Sequence, residues 1–288
     1  MPATLRQVGS LFKLRIGVAI MFSAMAGLAV TPGAAPPAWQ VVVLALAVLL
    51  SAASAGAFNQ FVERDLDARM ARTRSRPFVT GRFRPGPAWL ALIGALLLVA
   101  VGAAAWALNV AVAVHVFLGA FVYGVVYTVW LKNRTWWNIV WGGLAGSFAV
   151  LAGASAVDPG LSPIPVLLAV VLFLWTPPHF WSLAMALKDD YAAAGVPMLP
   201  VVKGDAVAAR AILGHTLALV TLSLVPAALG LGWIYLLGAA TGGALFVARS
   251  VALVRAPGRA AAMANFKASL MQLGLLQTAA ILDRLILT

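Results

Sequence analysis

The sequence predicts an all-α membrane protein with nine transmembrane helices. Of its 288 residues, 63% are hydrophobic and only 10% are charged, which is too little polar surface to cover a soluble protein. Long apolar runs recur along the whole chain, and most match the roughly 20 residues that cross about 30 Å of hydrocarbon. Helices are expected rather than barrel strands, because a lipid-exposed backbone must satisfy its hydrogen bonds within each long span.

The predicted spans follow one another through mostly short connections, and none of the connections is long enough to form a separate soluble core. We therefore predict a single domain, residues 1–288. In chain order, the spans are expected at about residues 14–31, 40–61, 87–108, 110–131, 137–157, 163–187, 209–231, 233–254 and 267–287.

Two longer connections, at about 62–86 and 188–208, contain most of the acidic residues. They lie about 125 residues apart, as expected for a repeated four-helix unit at about 14–131 and 137–254, followed by a ninth helix at 267–287. Hairpins of even size produce the same offset without any repeat. The internal repeat is therefore one of two interpretations.

The charge distribution predicts the orientation. The chain has a formal net charge of +12. Nineteen of its twenty Lys and Arg residues lie before or at the start of the first span, or in or near the connections after the second, fourth, sixth and eighth spans, with Arg284 the exception. By the positive-inside rule, the N-terminus is cytoplasmic and the C-terminus lies on the opposite side of the cell inner membrane. Basic residues confined to short loops do not form a nucleic-acid-binding face.

The end of the second predicted span carries a dense polar motif, NQFVERDLDARMARTRSRP, at residues 59–77. On a continuous helix, Asn59, Glu63 and Asp67 follow one another at four-residue steps and share one face. Oxygen ligands favour a hard cation such as Mg²⁺, which usually completes its shell with water and substrate phosphates. The chain has no Cys, so thiolate metal sites are excluded. We predict that these three residues bind metal and take part in catalysis.

Basic residues near this motif indicate phosphate recognition. Arg72 and Arg76 are predicted to bind a diphosphate, because guanidinium groups bind phosphate oxygens in pairs. Lys132, in the segment YTVWLKNRT, is predicted to bind it from the same membrane face. The alternative is a cytoplasmic loop whose basic residues only set the membrane orientation, and whose acidic residues form ion pairs with nearby basic residues. Asp65 and Arg69, at i and i+4, fit that alternative well.

The second polar cluster is WTPPHFWSLAMALKDDYAAAGVPMLPVVKG, at residues 175–204. Asp189 and Asp190 are predicted to bind a second cation, with Asp190 also catalytic, and Lys188 to bind diphosphate. His179 lies nine residues earlier, about 13 Å deeper in the membrane by helical rise. A histidine at that depth among aromatic residues is predicted to bind haem or transfer a proton. The alternative for His179 is hydrogen-bonded helix packing.

Taken together, these motifs resemble the UbiA-type intramembrane prenyltransferases. The family pattern of Asn followed by acids four and eight residues later is matched by Asn59, Glu63 and Asp67. The segments ERDLDARMARTRSRP, YTVWLK, WTPPHFW and KDDY through GVPMLPVVKG resemble the branch of the family that acts on haem. The family's second DxxxD pattern is incomplete here, because Ala194 stands four residues after Asp190.

The resemblance implies a helical bundle around a central cavity, with Mg²⁺ as the cofactor. It also implies transfer of a farnesyl group from farnesyl diphosphate to the vinyl group of haem B, with addition of water, to form haem O and diphosphate. His179 would then contact the haem, and a downstream haem A synthase would be a partner besides the lipid bilayer. Two alternatives remain: a prenyltransferase acting on a quinone precursor or another aromatic acceptor, and a non-catalytic haem-handling membrane protein.

Overall fold

A computed structural model describes residues 3–287, with side chains from residue 6 onwards, and this part of the chain consists of helices joined by loops, with no strand. In chain order, its helices are α1 (Ala3–Leu11), α2 (Leu14–Val30), α3 (Ala38–Val62), α4 (Arg64–Asp67), α5 (Pro87–Ala107), α6 (Val110–Phe121), a π-helix (Val122–Leu131), α7 (Asn138–Gly142), α8 (Leu144–Ser155), α9 (Pro163–Ala186), α10 (Lys188–Ala193), α11 (Leu199–Lys203), α12 (Asp205–Ala228), α13 (Trp233–Arg255) and α14 (Arg259–Leu287).

The predicted all-α membrane fold class is confirmed, whereas the orientation of the helices in the membrane stays a prediction. Within the described residues, eight segments are long and apolar enough to cross a membrane, and α2 is a shorter apolar helix of 17 residues. At 1.5 Å per residue, α2 reaches about 25 Å, somewhat less than the hydrocarbon thickness. One of the eight spans combines α6 with the π-helix, and another combines α7 with α8.

The largest differences from the predicted boundaries lie at two helix starts. α12 begins at Asp205 instead of about 209, and α14 begins at Arg259 instead of about 267. Hydropathy marks only the lipid-facing part of a helix, whereas backbone hydrogen bonding continues until a residue interrupts it. For α14 the interruption is the turn at Pro257 and Gly258, so its first two turns extend beyond the apolar run.

Glycines allow two of the helices to pack with their backbones in close approach. A Cβ atom at Gly153 of α8 would lie 1.8 Å from the Ala24 carbonyl oxygen of α2. A Cβ atom at Gly27 of α2 would lie 2.1 Å from the Val150 carbonyl oxygen of α8. Small residues of this kind are typical of helix interfaces in membranes. They fix α2, and with it the residues that precede it, against the centre of the bundle.

A cavity of about 10 Å³ lies between α2, α8, α9 and α14, lined by residues that include Val150, Leu172, Leu276 and Gln277. This volume is room for about one water molecule. The polar residues of the two sequence motifs lie elsewhere, at the ends of α3, the π-helix and α9.

Candidate functional site

The first motif occupies the end of α3 and the short helix α4. The sequence predicts one continuous helix here, but α3 ends at Val62 and Glu63 forms a junction with φ −89° and ψ 8°. The Glu63 N–H still bonds the Asn59 carbonyl at 3.0 Å, and the Asp67 N–H bonds the Glu63 carbonyl at 2.7 Å. Asn59, Glu63 and Asp67 therefore keep their one-turn spacing, and all three are at least 96% buried.

Each of these three buried groups is held by a basic side chain from a different part of the chain. The contacts join Lys13 Nζ to Asn59 Oδ1 at 2.6 Å, Lys132 Nζ to Glu63 Oε2 at 2.5 Å, and Arg76 to Asp67 Oδ2 at 2.6 Å. Burying a carboxylate without a partner is very unfavourable, and the two ion pairs offset that cost for Glu63 and Asp67.

Arg76 is positioned by an aromatic cluster two residues further along the loop. Phe78 is buried, and its ring contacts Phe61 and Trp89 edge to face, with ring centroids 5.6 and 5.4 Å apart. Such pairs stabilise beyond the area they bury. The Thr73 hydroxyl also donates to the Asp67 carbonyl at 2.9 Å. The loop is therefore anchored on both sides of Arg76.

Lys13 is a site residue that sequence reasoning missed. It has a left-handed backbone (φ 49°, ψ 41°), a conformation that non-glycine residues rarely adopt and that concentrates at functional sites. Gly56 of α3 leaves room for it: a Cβ there would lie 3.3 Å from the Lys13 Cβ. Burial, and secondarily the charge of Arg76, lowers the pKa of Lys13 to about 7. In the sequence, Lys13 only stands out as a basic residue just before the first apolar run, which indicates membrane orientation and no binding role.

The π-helix brings two tyrosines against these lysines. Tyr123 and Tyr127 are stacked with ring centroids 5.6 Å apart. The Lys13 ammonium lies 5.3 Å from the Tyr123 centroid and donates a 2.9 Å hydrogen bond to the Tyr123 hydroxyl oxygen. The Lys132 ammonium lies 5.8 Å from the Tyr127 centroid. The two tyrosines therefore pack on each other, and each ring also makes a cation–π contact with a lysine. π-helical segments often occur at functional sites.

Residues of the π-helix and α7 orient the site further. Asn59 Nδ2 donates to the Thr128 hydroxyl at 3.0 Å, which fixes the amide so that Oδ1 faces Lys13. Asn138 Nδ2 donates to the Lys132 carbonyl at 3.0 Å, while Asn138 Oδ1 is buried without a hydrogen-bond partner. Asn138 lies six residues after Lys132, the last residue of the YTVWLK segment, and its hydrogen bond holds the Lys132 backbone in place.

The second motif meets the first through Tyr191. This residue is buried, and burial raises the pKa of its hydroxyl, an effect that the charge of nearby Arg72 opposes and that of Glu63 reinforces. Asp190 is half-buried next to it and acts on it electrostatically, whereas Asp189 is exposed. Arg72, Glu63 and Asp190, all predicted site residues, are therefore near enough to Tyr191 to affect the pKa of its hydroxyl.

Lys188 has a partner that the sequence did not predict. Its Nζ donates to Asp205 Oδ1 at 3.0 Å, and the two side chains are 36% and 40% exposed. An ion pair this exposed contributes little to stability. Among the residues that the structure describes, no three His, Asp or Glu side chains converge as metal ligands. Asp189 and Asp190 are thus not assembled with Glu63 and Asp67 into one ligand set.

The donor set nevertheless suits a magnesium ion. Asn59, Glu63 and Asp67 offer oxygen atoms only, and Glu63 Oε1 is buried with no hydrogen-bond partner. An unpartnered buried carboxylate oxygen is a ready ligand for a hard cation, and few protein oxygens suffice when substrate phosphates complete the shell. These residues fit Mg²⁺ in combination with a diphosphate.

His179 lies in α9, away from this cluster. Its ring stacks between Trp175, at 4.2 Å between centroids, and Phe266 of α14, at 4.5 Å. Nδ1 is 2.7 Å from the Ser269 hydroxyl, and Nε2 makes no hydrogen bond with any described residue. The imidazole is 7% exposed. His179 thus makes the contacts expected of a hydrogen-bonded helix-packing residue, while Nε2 stays without a hydrogen-bond partner among the described residues and could bind a ligand.

Within residues 3–287, eight long apolar segments and the shorter helix α2 form a bundle, with buried carboxylate and amide oxygens paired with basic groups near the end of α3. This is the architecture expected of an intramembrane prenyltransferase. The family model described as the UbiA prenyltransferase family matches residues 20–276. The chain belongs to the UbiA prenyltransferase family.

Relatives and solved structures agree with this assignment. The chain is 61% identical to Protoheme IX farnesyltransferase 2 of Paramagnetospirillum magneticum, with 99% of each chain covered. It is 47% identical to Protoheme IX farnesyltransferase 1 of the same organism, over 98% of this chain and 99% of the relative. A solved UbiA homolog from Archaeoglobus fulgidus, bound to DMAPP and Mg²⁺, is 16% identical with a TM-score of 0.72, over 96% of this chain and 99% of that one. A digeranylgeranylglyceryl phosphate synthase structure reaches a TM-score of 0.81 at 16% identity, covering 97% and 98%.

Proposed function

We propose that this chain transfers the farnesyl group of farnesyl diphosphate to the vinyl group of haem B, with addition of water, giving haem O and diphosphate. The observation that carries the choice of substrates is the 61% identity, over 99% of both chains, to a protein named for farnesyl transfer to protohaem IX. The match covers 286 residues and therefore includes the regions of both sequence motifs.

The buried polar cluster supports the diphosphate half of this reaction. Asn59, Glu63 and Asp67 are the proposed ligands of Mg²⁺, which, when bound, neutralises charge on the departing diphosphate. Arg72, Arg76 and Lys132 lie at the same end of the bundle, where they can bind the phosphate oxygens. As the allylic C1–O bond breaks, these cations stabilise the charge that develops on the leaving group. We also propose that Lys188 binds the diphosphate and that Asp189 and Asp190, which lie outside the first ligand set, bind a second cation.

The bundle protects the cationic farnesyl group that is left. Tyr123 and Tyr127 lie beside the site, where they stack on each other and each ring also faces a lysine. Close packing of the helices excludes bulk water, which would otherwise hydrolyse the cation. The terminal carbon of the haem vinyl group then forms the new bond to farnesyl C1. The positive charge moves to the carbon beside the porphyrin, where one water molecule adds and releases a proton.

The proposed acceptor side of the site is near His179. Its open Nε2 and the aromatic rings around it are suited to a macrocycle, and Phe180 adds a further ring 4.9 Å away, edge to face. We also propose that the protein resides in the cell inner membrane, with the diphosphate site at the cytoplasmic face, as a single domain. A haem A synthase acting on the product is the proposed downstream partner.

The direct test incubates the purified protein with haem B, farnesyl diphosphate and Mg²⁺, and measures the mass of the extracted haem. We expect a product heavier than haem B by one farnesyl group and one hydroxyl group, and no product after chelation by EDTA. A parallel reaction with a quinone precursor as acceptor serves as the control. Prenylation of that acceptor, with haem B left unchanged, would contradict the proposal.

A further inference from the structure

The three proposed metal ligands share an unusual feature: a basic side chain already occupies each of them. Lys13, Lys132 and Arg76 contact the oxygen atoms of Asn59, Glu63 and Asp67, one each, at 2.5 to 2.6 Å. Lys13 and Lys132 reach their partners from 46 and 69 positions away in the chain. The sequence motifs do not predict which basic residue contacts which of these oxygen atoms.

The charges in this arrangement oppose binding of a metal ion on its own. Lys132 and Arg76 already pair with the two carboxylates, and Lys13 is a third basic group in the site, so a divalent cation arriving alone would find no unbalanced negative charge. It would also have to displace basic side chains that are largely buried, with Lys132 only 12% exposed, and leave them without partners. Uncompensated buried charges are strongly unfavourable.

A diphosphate removes this obstacle, because it offers several anionic oxygens to which the displaced groups can transfer. The two lysines can move without leaving the site. Lys13 has a second contact at the Tyr123 hydroxyl and ring, and Lys132 lies against the Tyr127 ring. Asn59 stays in place when Lys13 departs, since Thr128 holds its amide nitrogen.

We propose that Lys13, Lys132 and Arg76 form an exchangeable counterion set, which occupies the metal ligands before substrate arrives and passes to the diphosphate oxygens as the metal ion takes those ligands. Metal and diphosphate then bind only weakly alone and strongly together. Lys13 is the new positioning residue in this scheme, because it controls Asn59. The inference rests on the proposed function, since it takes Asn59, Glu63 and Asp67 as the metal ligands.

The test measures binding rather than turnover. The full-length protein in lipid nanodiscs is titrated with Mn²⁺, a paramagnetic substitute for Mg²⁺, and the bound ion is followed by electron paramagnetic resonance with and without the non-reactive donor farnesyl thiodiphosphate. In the unmodified protein, we expect the donor analogue to tighten Mn²⁺ binding about tenfold or more, a typical coupling between two sites. Lys13→Met should bind Mn²⁺ alone more tightly and reduce the enhancement to less than about threefold.

Three comparisons isolate the effect. Lys203→Met removes an exposed lysine of α11 and should keep the full enhancement. Chelation of Mn²⁺ by the analogue in solution is the same for every variant, so differences between variants come from the protein. Lys13→Arg retains the charge and should restore most of the coupling. Tyr123→Phe removes only the second contact of Lys13 and should have an intermediate effect. Circular dichroism and gel filtration identify variants that fail to fold.

The outcomes separate this inference from the proposed function. If the unmodified protein binds Mn²⁺ equally well with and without the analogue, or if Lys13→Met keeps the full enhancement, the exchange of counterions is wrong while the metal site stands. If Mn²⁺ does not bind in any condition, the metal site itself is wrong and the exchange is overturned with it.

Discussion

Lys132 donates a 2.5 Å hydrogen bond to Oε2 of Glu63, whereas Oε1 of the same carboxylate is buried without any partner. One half of the Glu63 carboxylate is thus neutralised by a lysine from the far end of the π-helix, and the other half is available. This asymmetry distinguishes Glu63 from an ordinary structural ion pair, in which both oxygens are usually satisfied.

Glu63→Gln should therefore abolish metal-dependent turnover while the protein still folds. The substitution keeps the size of the side chain but removes the charge that holds a cation, and losing one such electrostatic group typically lowers the rate by about a hundredfold or more. Formation of farnesylated haem is the measurement, and Asp67→Asn should behave similarly. Asp65→Asn is the matched control, because Asp65 is exposed and makes no contact with the site. Activity that survives EDTA would show that the metal site is wrong.

His179→Ala should weaken haem binding more than binding of the prenyl donor. The change should appear as an altered Soret band in the purified protein, with the affinity for farnesyl thiodiphosphate unchanged within a few-fold. Because Trp175 and Phe266 stack on the imidazole, the loss of packing must be separated from the loss of a ligand.

His179→Phe makes this separation, since it retains an aromatic ring but has no nitrogen. His215→Ala is the second control, because His215 contacts Trp181 edge to face and lies outside the proposed acceptor site. If haem binds His179→Phe as well as it binds the unmodified protein, His179 serves helix packing.

Phe78→Ala should release the loop that carries Arg76. Removing a buried aromatic side chain typically costs roughly 3 kcal/mol, and Phe78 is the centre of the cluster with Phe61 and Trp89. We expect trypsin to cut the arginine-rich loop at least about tenfold faster, since about 1.4 kcal/mol already corresponds to a factor of ten. Donor affinity should also fall. Phe121→Ala, at a 40% exposed position in a span, should leave the cleavage rate unchanged; equal cleavage in both variants would argue against the anchoring role of Phe78.

Asp283→Ala should lower thermal stability without altering turnover per folded molecule. Asp283, in α14, is buried and accepts hydrogen bonds from the backbone N–H groups of Gly232 and Tyr235 at 2.7 and 3.0 Å, at the start of α13. It acts as a helix cap supplied by another helix, and loss of a cap costs about 1 kcal/mol, more where the freed N–H groups stay buried. Asp158→Ala, which removes a similar contact in an exposed turn, should change stability much less. A thermal scan monitored by tryptophan fluorescence compares the two.

The predicted orientation can be tested with reporter fusions. Fusions after residues 36, 109, 160 and 232 should report the non-cytoplasmic side, and fusions after 80, 134, 200 and 258 the cytoplasm. The physical reason is the concentration of Lys and Arg around alternate connections. Two or more reversed positions would contradict the nine-span arrangement.

The sequence by itself determined the number and approximate positions of the membrane helices. Transfer of apolar side chains into lipid depends on the local run of residues, so it can be recognised without knowledge of the fold. The same holds for the spacing of Asn59, Glu63 and Asp67, because residues four apart on a helix share a face whatever packs against it. The sequence did not reveal the junction at Glu63 or the early start of α14 at Arg259. Hydropathy does not indicate where the hydrogen bonding of a helix begins or ends.

Only the tertiary structure decided which groups meet. Lys13 reaches Asn59 because α2 packs against α3, and Lys188 pairs with Asp205 because α12 starts beside the end of α9. Contacts between positions so far apart in the chain depend on how helices pack, and helix packing in lipid follows from shape and small residues more than from any polar pattern. For this reason a lysine that looked like a topological charge became part of the site.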